Sequence, residues 1–132
     1  MTEIQNIQLI TGIGVDIEKN KRILGLIEKW GDSFLERVFT PAEITYCKDK
    51  KDSGGSYTAR FAVKEAVFKA MGTGLRDGYK WTDIEVQNDK KGKPFLIVFD
   101  KVKQRLTDKT VFISLSHTKD ESIAFVIITD RS

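Results

Sequence analysis

Residues 7–17, Ile-Gln-Leu-Ile-Thr-Gly-Ile-Gly-Val-Asp-Ile, alternate with period two. The spacing predicts a strand with Ile7, Leu9, Ile13, Val15 and Ile17 on one face and Gly12, Gly14 and Asp16 on the other. Asp16 then projects among neighbours without side chains, which predicts room for a ligand or metal ion beside its carboxylate. An edge strand ending in an Asp turn explains the same residues without a ligand. From Lys19 the period becomes helical. Ile23, Leu26, Ile27 and Trp30 form an expected inward stripe, with Lys21, Arg22, Glu28 and Lys29 on other faces. Asp32 or Ser33 is expected to cap a short helix through Phe34, Leu35 and Val38. Thr40-Pro41-Ala42-Glu43 is a strong helix start, with a Thr cap, Pro at the first position and Glu at the third, and that helix runs to about Lys48. A polar loop over 48–56 follows.

Residues 59–74, Ala-Arg-Phe-Ala-Val-Lys-Glu-Ala-Val-Phe-Lys-Ala-Met-Gly-Thr-Gly, predict the central helix, capped by Ser56 and stopped at Gly72. Ala62, Val63, Ala66 and Ala70 make a small-residue stripe, and Phe61, Val67, Phe68 and Met71 cover much of the rest. A helix apolar nearly all round is buried. Arg60, Lys64, Glu65 and Lys69 nevertheless lie within it, and charges at a buried helix need partners. A plain Glu65–Lys69 pair one turn apart accounts for two of them. Beyond Gly74 the pattern alternates over 82–87 with Ile84 and Val86 inward. A hairpin loop spans 88–94, a strand runs through Phe99, and Asp100 is expected to cap a short helix holding Val102 and Leu106. Strands over 110–116 and 122–129 close the chain, with His117 where the first enters its turn. The expected fold is α+β, a mainly antiparallel sheet with helices packed on one side, in a single domain over 1–132.

Composition narrows the classes. The chain has 40% hydrophobic and 31% charged residues, as ordinary globular proteins do. Its longest apolar run, Ile123 to Ile128, is too short to span a bilayer, and Met1 to Asn6 carry no secretion signal, so no membrane role is expected. Cys47, the single cysteine, suits a reducing cytoplasm, and one Cys with one His makes no zinc site within one chain. The net charge of +3 is uneven. Residues 1–50 hold 7 Lys/Arg against 8 Asp/Glu, and the remainder 15 against 11. A phosphate-bearing ligand suits that excess. The strands lack the aromatic-basic pattern of an RNA-recognition module, so no nucleic-acid partner is expected.

Three motifs resemble those of the stand-alone 4′-phosphopantetheinyl transferases, the small holo-(acyl-carrier-protein) synthases, in order and spacing. They are Gly14-Val15-Asp16 with Arg22-Ile23, then Arg60-Phe61-Ala62-Val63-Lys64-Glu65-Ala66 through Lys69-Ala70 and Gly72-Thr73-Gly74, then Ser114-Leu115-Ser116-His117-Thr118. Residues 34–40, Glu43 and Gly92-Lys93-Pro94 fit as well, so the resemblance covers about residues 11–129. It implies transfer of the phosphopantetheine arm of coenzyme A to a serine of acyl carrier protein, with Mg²⁺ and release of adenosine 3′,5′-bisphosphate. It implies Asp16 and Glu65 as metal ligands and Glu65 and Lys69 as catalytic groups. The proton acceptor stays open between Glu65 and a water on the metal. Coenzyme A contacts are implied at Arg60, Lys64, Lys69, Gly72, Thr73, Gly92, Lys93, Pro94, Ser116 and His117, and carrier contacts at Arg22 and Arg37. A homotrimer with sites between subunits follows from the same resemblance. A non-catalytic coenzyme A or nucleotide module is the main rival, and it needs the cations but not both carboxylates.

Overall fold

The computed structural model describes residues 9–131, so Ile7 of the expected first strand lies outside them. Strand β1 (Ile10–Lys19) leads into three short helices, α1 (Asn20–Trp30), α2 (Asp32–Val38) and α3 (Pro41–Lys48), and then the long α4 (Ser53–Met71). A 3₁₀ turn at Trp81–Asp83 precedes the hairpin β2 (Ile84–Asn88) and β3 (Pro94–Val98), followed by α5 (Asp100–Arg105), β4 (Lys109–His117) and β5 (Glu121–Asp130). The expected sheet is two antiparallel pieces. One has the order β1-β5-β4, and the other is the β2-β3 hairpin.

Helix α4 lies against the inner face of β1 and β5. The glycines of β1 explain how closely. A Cβ on Gly12 would stand 1.9 Å from the Ala70 carbonyl oxygen, and one on Gly14 2.0 Å from that of Ala66. The space over Gly12 and Gly14 is therefore filled by helix backbone rather than held open. Ala62, Ala66 and Val67 meet Ala124, Val126, Ile84 and Val86 in this core. A second core gathers Ile23, Val38, Phe39, Cys47, Tyr57 and Phe61 from the helices. Trp81 joins the two, stacked on Phe61 at 5.1 Å and edge-on to Phe68 at 5.6 Å between ring centroids.

The other face of the three-stranded sheet is apolar and open. Ile13, Val15 and Ile17 of β1 stand opposite Ile127, Phe125 and Ile123 of β5, and Phe112 of β4 opposes Ile127 from the far side. All except Ile127 are at least 40% exposed.

Two local expectations hold: the Thr40–Glu43 capping box forms, and Gly72 closes α4 in the left-handed conformation at φ 76°. Others change. Trp30 turns outward, 56% exposed, because α1 ends there and its ring lies beside Lys29. Helix α4 starts before Ser56, with Asp52 accepting from the Gly55 amide. Neither α2 nor α5 has a side-chain cap: Gly31 and Phe99 hold those positions, and Asp100 is already the first residue of its helix.

Candidate active site

Strand β1 and helix α4 bring carboxylates together from opposite sides of one interface. Asp16 faces α4 because the alternation of β1 points its even-numbered residues inward. It is 7% exposed. Its Oδ1 accepts from Lys69 Nζ at 2.9 Å, and its buried Oδ2 has no hydrogen-bond partner among the described residues. Glu18, two residues on and so on the same face, accepts from Arg22 at 2.7 Å. Burial, then the neighbouring Asp16 carboxyl, pushes the Glu18 carboxyl up to about 7, and Arg22 opposes them. Glu65 of α4 belongs to the same group. Burial raises its carboxyl, the Asp16 charge raises it further, and Lys69 opposes both. The expected Glu65–Lys69 pair is thus replaced by Lys69–Asp16. No three His, Cys, Asp or Glu side chains form a ready-made metal cage among the described residues. Mg²⁺ does not need one, since it takes one or two carboxylates and completes its shell with water and phosphate oxygens. The unpartnered buried oxygen of Asp16 and the mutual repulsion of these acids fit a cation there.

Arg60, on another side of α4, faces a separate cleft of about 540 Å³. Lys50, Lys51, Ser56, Asn88, Gly92, Pro94, His117 and Thr118 are among the residues lining it. Arg60 is held rigidly: its guanidinium donates to Asn88 Oδ1 at 2.9 Å and Ser56 Oγ at 3.4 Å, and lies 4.2 Å from the Tyr46 ring centroid. Two lysines, an arginine and a histidine around an open cleft suit an anionic ligand with several phosphates.

The predicted coenzyme A residues divide accordingly. Arg60, Gly92, Pro94 and His117 meet in the cleft. Lys69 lies with the carboxylates, and Gly72 and Thr73 follow it at the end of α4. Ser116 borders a smaller recess beside His117, and Lys93 faces the groove between β3 and β4. Lys64 is the correction. Its side chain is fully buried, and its ammonium donates to Glu43 Oε1 at 2.6 Å, Val38 O at 2.7 Å and Trp81 O at 3.2 Å. Each of its three protons has an acceptor, so none remains for a coenzyme A phosphate. Burial pulls this ammonium below the usual lysine range, and Glu43 opposes that pull. Glu43, expected as a capping residue, also accepts from the Val86 amide and so ties α3, α4 and β2 together. Lys50, Lys51, Asn88 and Glu18 were not singled out by the sequence reading. The alternation of β1 would have flagged Glu18. The adjacent lysines read only as loop.

The predicted docking residues are both exposed, with Arg22 on α1 paired to Glu18 and Arg37 in the last turn of α2.

This arrangement has close relatives. The sequence model of the 4′-phosphopantetheinyl transferase superfamily matches residues 12–126, and the chain belongs to that family. It is 42% identical over 125 residues to a holo-(acyl-carrier-protein) synthase from Koribacter versatilis, covering 92% of this chain and all of that one. Among solved structures it resembles the holo-(acyl-carrier-protein) synthase of Neisseria meningitidis, with a TM-score of 0.84, 34% identity and coverage of 91% of this chain and 98% of that one. It also resembles the Bacillus anthracis enzyme in complex with coenzyme A (3′,5′-ADP), with a TM-score of 0.79, 36% identity and coverage of 94% and 99%.

Proposed function

We propose that this protein is a Mg²⁺-dependent holo-(acyl-carrier-protein) synthase, one transferase domain over residues 1–132. It moves the 4′-phosphopantetheine arm of coenzyme A to a serine hydroxyl of acyl carrier protein and releases adenosine 3′,5′-bisphosphate. The observation that carries this reading is Asp16 of β1 held by Lys69, one turn beyond Glu65 on α4, with one buried Asp16 oxygen unpartnered. A binding module has no use for that arrangement. The coenzyme A complex of the Bacillus anthracis relative supports the choice of donor.

In this reading the serine oxygen attacks the phosphorus that bears the pantetheine arm, and the bond from that phosphorus to the nucleotide's phosphate oxygen breaks. Glu65 accepts the serine proton. Lys69 meets the charge that gathers on the departing phosphate. Mg²⁺, when bound, would be held by Asp16 and Glu65 and supplies neutralisation of the pyrophosphate. Arg60 and His117, with Lys50 and Lys51, bind the nucleotide phosphates in the cleft. Arg22 and Arg37 offer cations to the acidic carrier.

Within one copy the cleft and the carboxylates lie on different sides of α4, which supports a homotrimer whose sites combine residues of neighbouring subunits. The open apolar face of β1-β5-β4 supplies a surface for that assembly. No helix among the described residues is long and apolar enough to cross a membrane. The test follows adenosine 3′,5′-bisphosphate released from coenzyme A by chromatography. The account predicts release only when apo carrier protein and Mg²⁺ are both present. Coenzyme A binding without release would support the non-catalytic module.

A further inference from the structure

Lys69 and Asp16 form an unequal pair. The lysine side chain is 52% exposed and the aspartate 8%. The ammonium reaches in over the buried carboxylate from outside, donating to Asp16 Oδ1 at 2.9 Å and to the Val15 carbonyl at 3.1 Å. Asp16 cannot leave, because β1 fixes it against α4. Lys69 can leave by rotating its four-carbon stem into solvent. A single ammonium also satisfies only half of the carboxylate, since Oδ2 remains buried without a partner. Arg22, the other nearby cation, is engaged by Glu18 at 2.7 Å.

We propose that Lys69 is the resident counter-ion of Asp16 in the metal-free protein and is displaced from it when a divalent cation binds. The inference rests on the assignment of Asp16 as a metal ligand made above. Its consequence is an order of events. While Lys69 holds Asp16, its ammonium is not available to a phosphate, and metal binding releases it into the space where the phosphate must lie. One lysine thereby couples metal binding to anion binding, with reciprocal gains in affinity. A fixed structural pair would show no such exchange.

The experiment uses Mn²⁺ as probe, with free ion measured by electron paramagnetic resonance and neither coenzyme A nor carrier present. Lys69→Met removes both a competitor and a like charge. It should bind Mn²⁺ about three- to fivefold more tightly than the wild type, the scale of a half-exposed ion pair. Because the side chain stands half in solvent, truncation leaves the core untouched, and circular dichroism checks that the fold is kept. A second readout follows reductively ¹³C-methylated lysines, with the Lys69 signal assigned by its absence in Lys69→Met. In the wild type that signal should shift as Mg²⁺ is added. Equal or weaker Mn²⁺ binding by the variant, or an unmoved Lys69 signal, overturns the displacement and leaves Asp16 as a ligand. Absence of Mn²⁺ binding to both proteins overturns the displacement, and absence that persists when coenzyme A is added overturns the ligand assignment as well.

Discussion

Cys47 shows what burial does to a single reactive group. Its thiol is fully buried within 3.1 Å of Ser56 Oγ, and burial pushes it above the ordinary value of 9.0. The thiolate is the nucleophile, so the native protein should resist iodoacetamide at mildly alkaline pH while the urea-unfolded chain reacts fully. A folded value above the unfolded one means this group's contribution to stability is complete below pH 9.0 and is lost as pH rises through the folded value. Urea midpoints should therefore fall on the alkaline side. Arg37 gives a cleaner test of docking than Arg22. Arg37→Glu should raise the KM for carrier protein and leave that for coenzyme A nearly unchanged, with added salt weakening the wild type by the same route. Arg22→Glu should lower kcat as well, because it sets a new negative charge beside Glu18, which Arg22 now neutralises. An equal rise in both KM values in Arg37→Glu would contradict a docking role.

At the scale of elements, α4 depends on two close fits. Gly14→Ala would push a methyl group into the Ala66 carbonyl, 2.0 Å away, and should cost about 1–3 kcal/mol in urea unfolding. Lys64→Ala leaves Glu43 charged and fully buried, which should cost about 3–5 kcal/mol. Lys64→Met combined with Glu43→Gln should recover part of that loss. These fits also mark where the sequence could be read and where it could not. The alternation of β1, the Thr40 capping box, the Gly72 stop and the buried pair Ile84 and Val86 are local patterns, and local patterns are legible. Asp16 is a candidate by the strand period that sets its face, whereas Glu65 and Lys69 read by themselves as a plain pair one turn apart and become candidates only through the family resemblance. The start of α4 was hidden because Ser53-Gly54-Gly55 has poor helix propensity. Tertiary packing overrides it there, with Gly54 lying against Leu24 and Gly55 under the Asp52 cap. The resemblance implies Lys64 as a coenzyme A contact, and helical spacing cannot expose its true partner, because Glu43 lies 21 residues away. The β1 glycines suggested a ligand space for the same reason, since the helix that fills it comes from elsewhere in the chain.

At the scale of the whole molecule, the open face of β1-β5-β4 is the feature a lone chain explains least. Ile13, Val15, Ile17, Phe112, Ile123 and Phe125 together make an apolar surface far more continuous than scattered exposed residues. Phe125→Glu at its centre should convert the proposed trimer in light scattering to monomer and abolish transfer, although Phe125 does not line the cleft. A fully active monomer would contradict sites shared between copies. In the proposed function, Asp16 of β1 and Glu65 of α4 serve the transfer of an arm from coenzyme A to a carrier serine. The most direct test is the intact mass of apo carrier protein after incubation with coenzyme A, Mg²⁺ and each of wild type, Asp16→Asn and Glu65→Gln. The account predicts a gain of one phosphopantetheine arm with the wild type and almost none with either folded variant. A carrier left unchanged by the wild type, or fully modified by both variants, would contradict it.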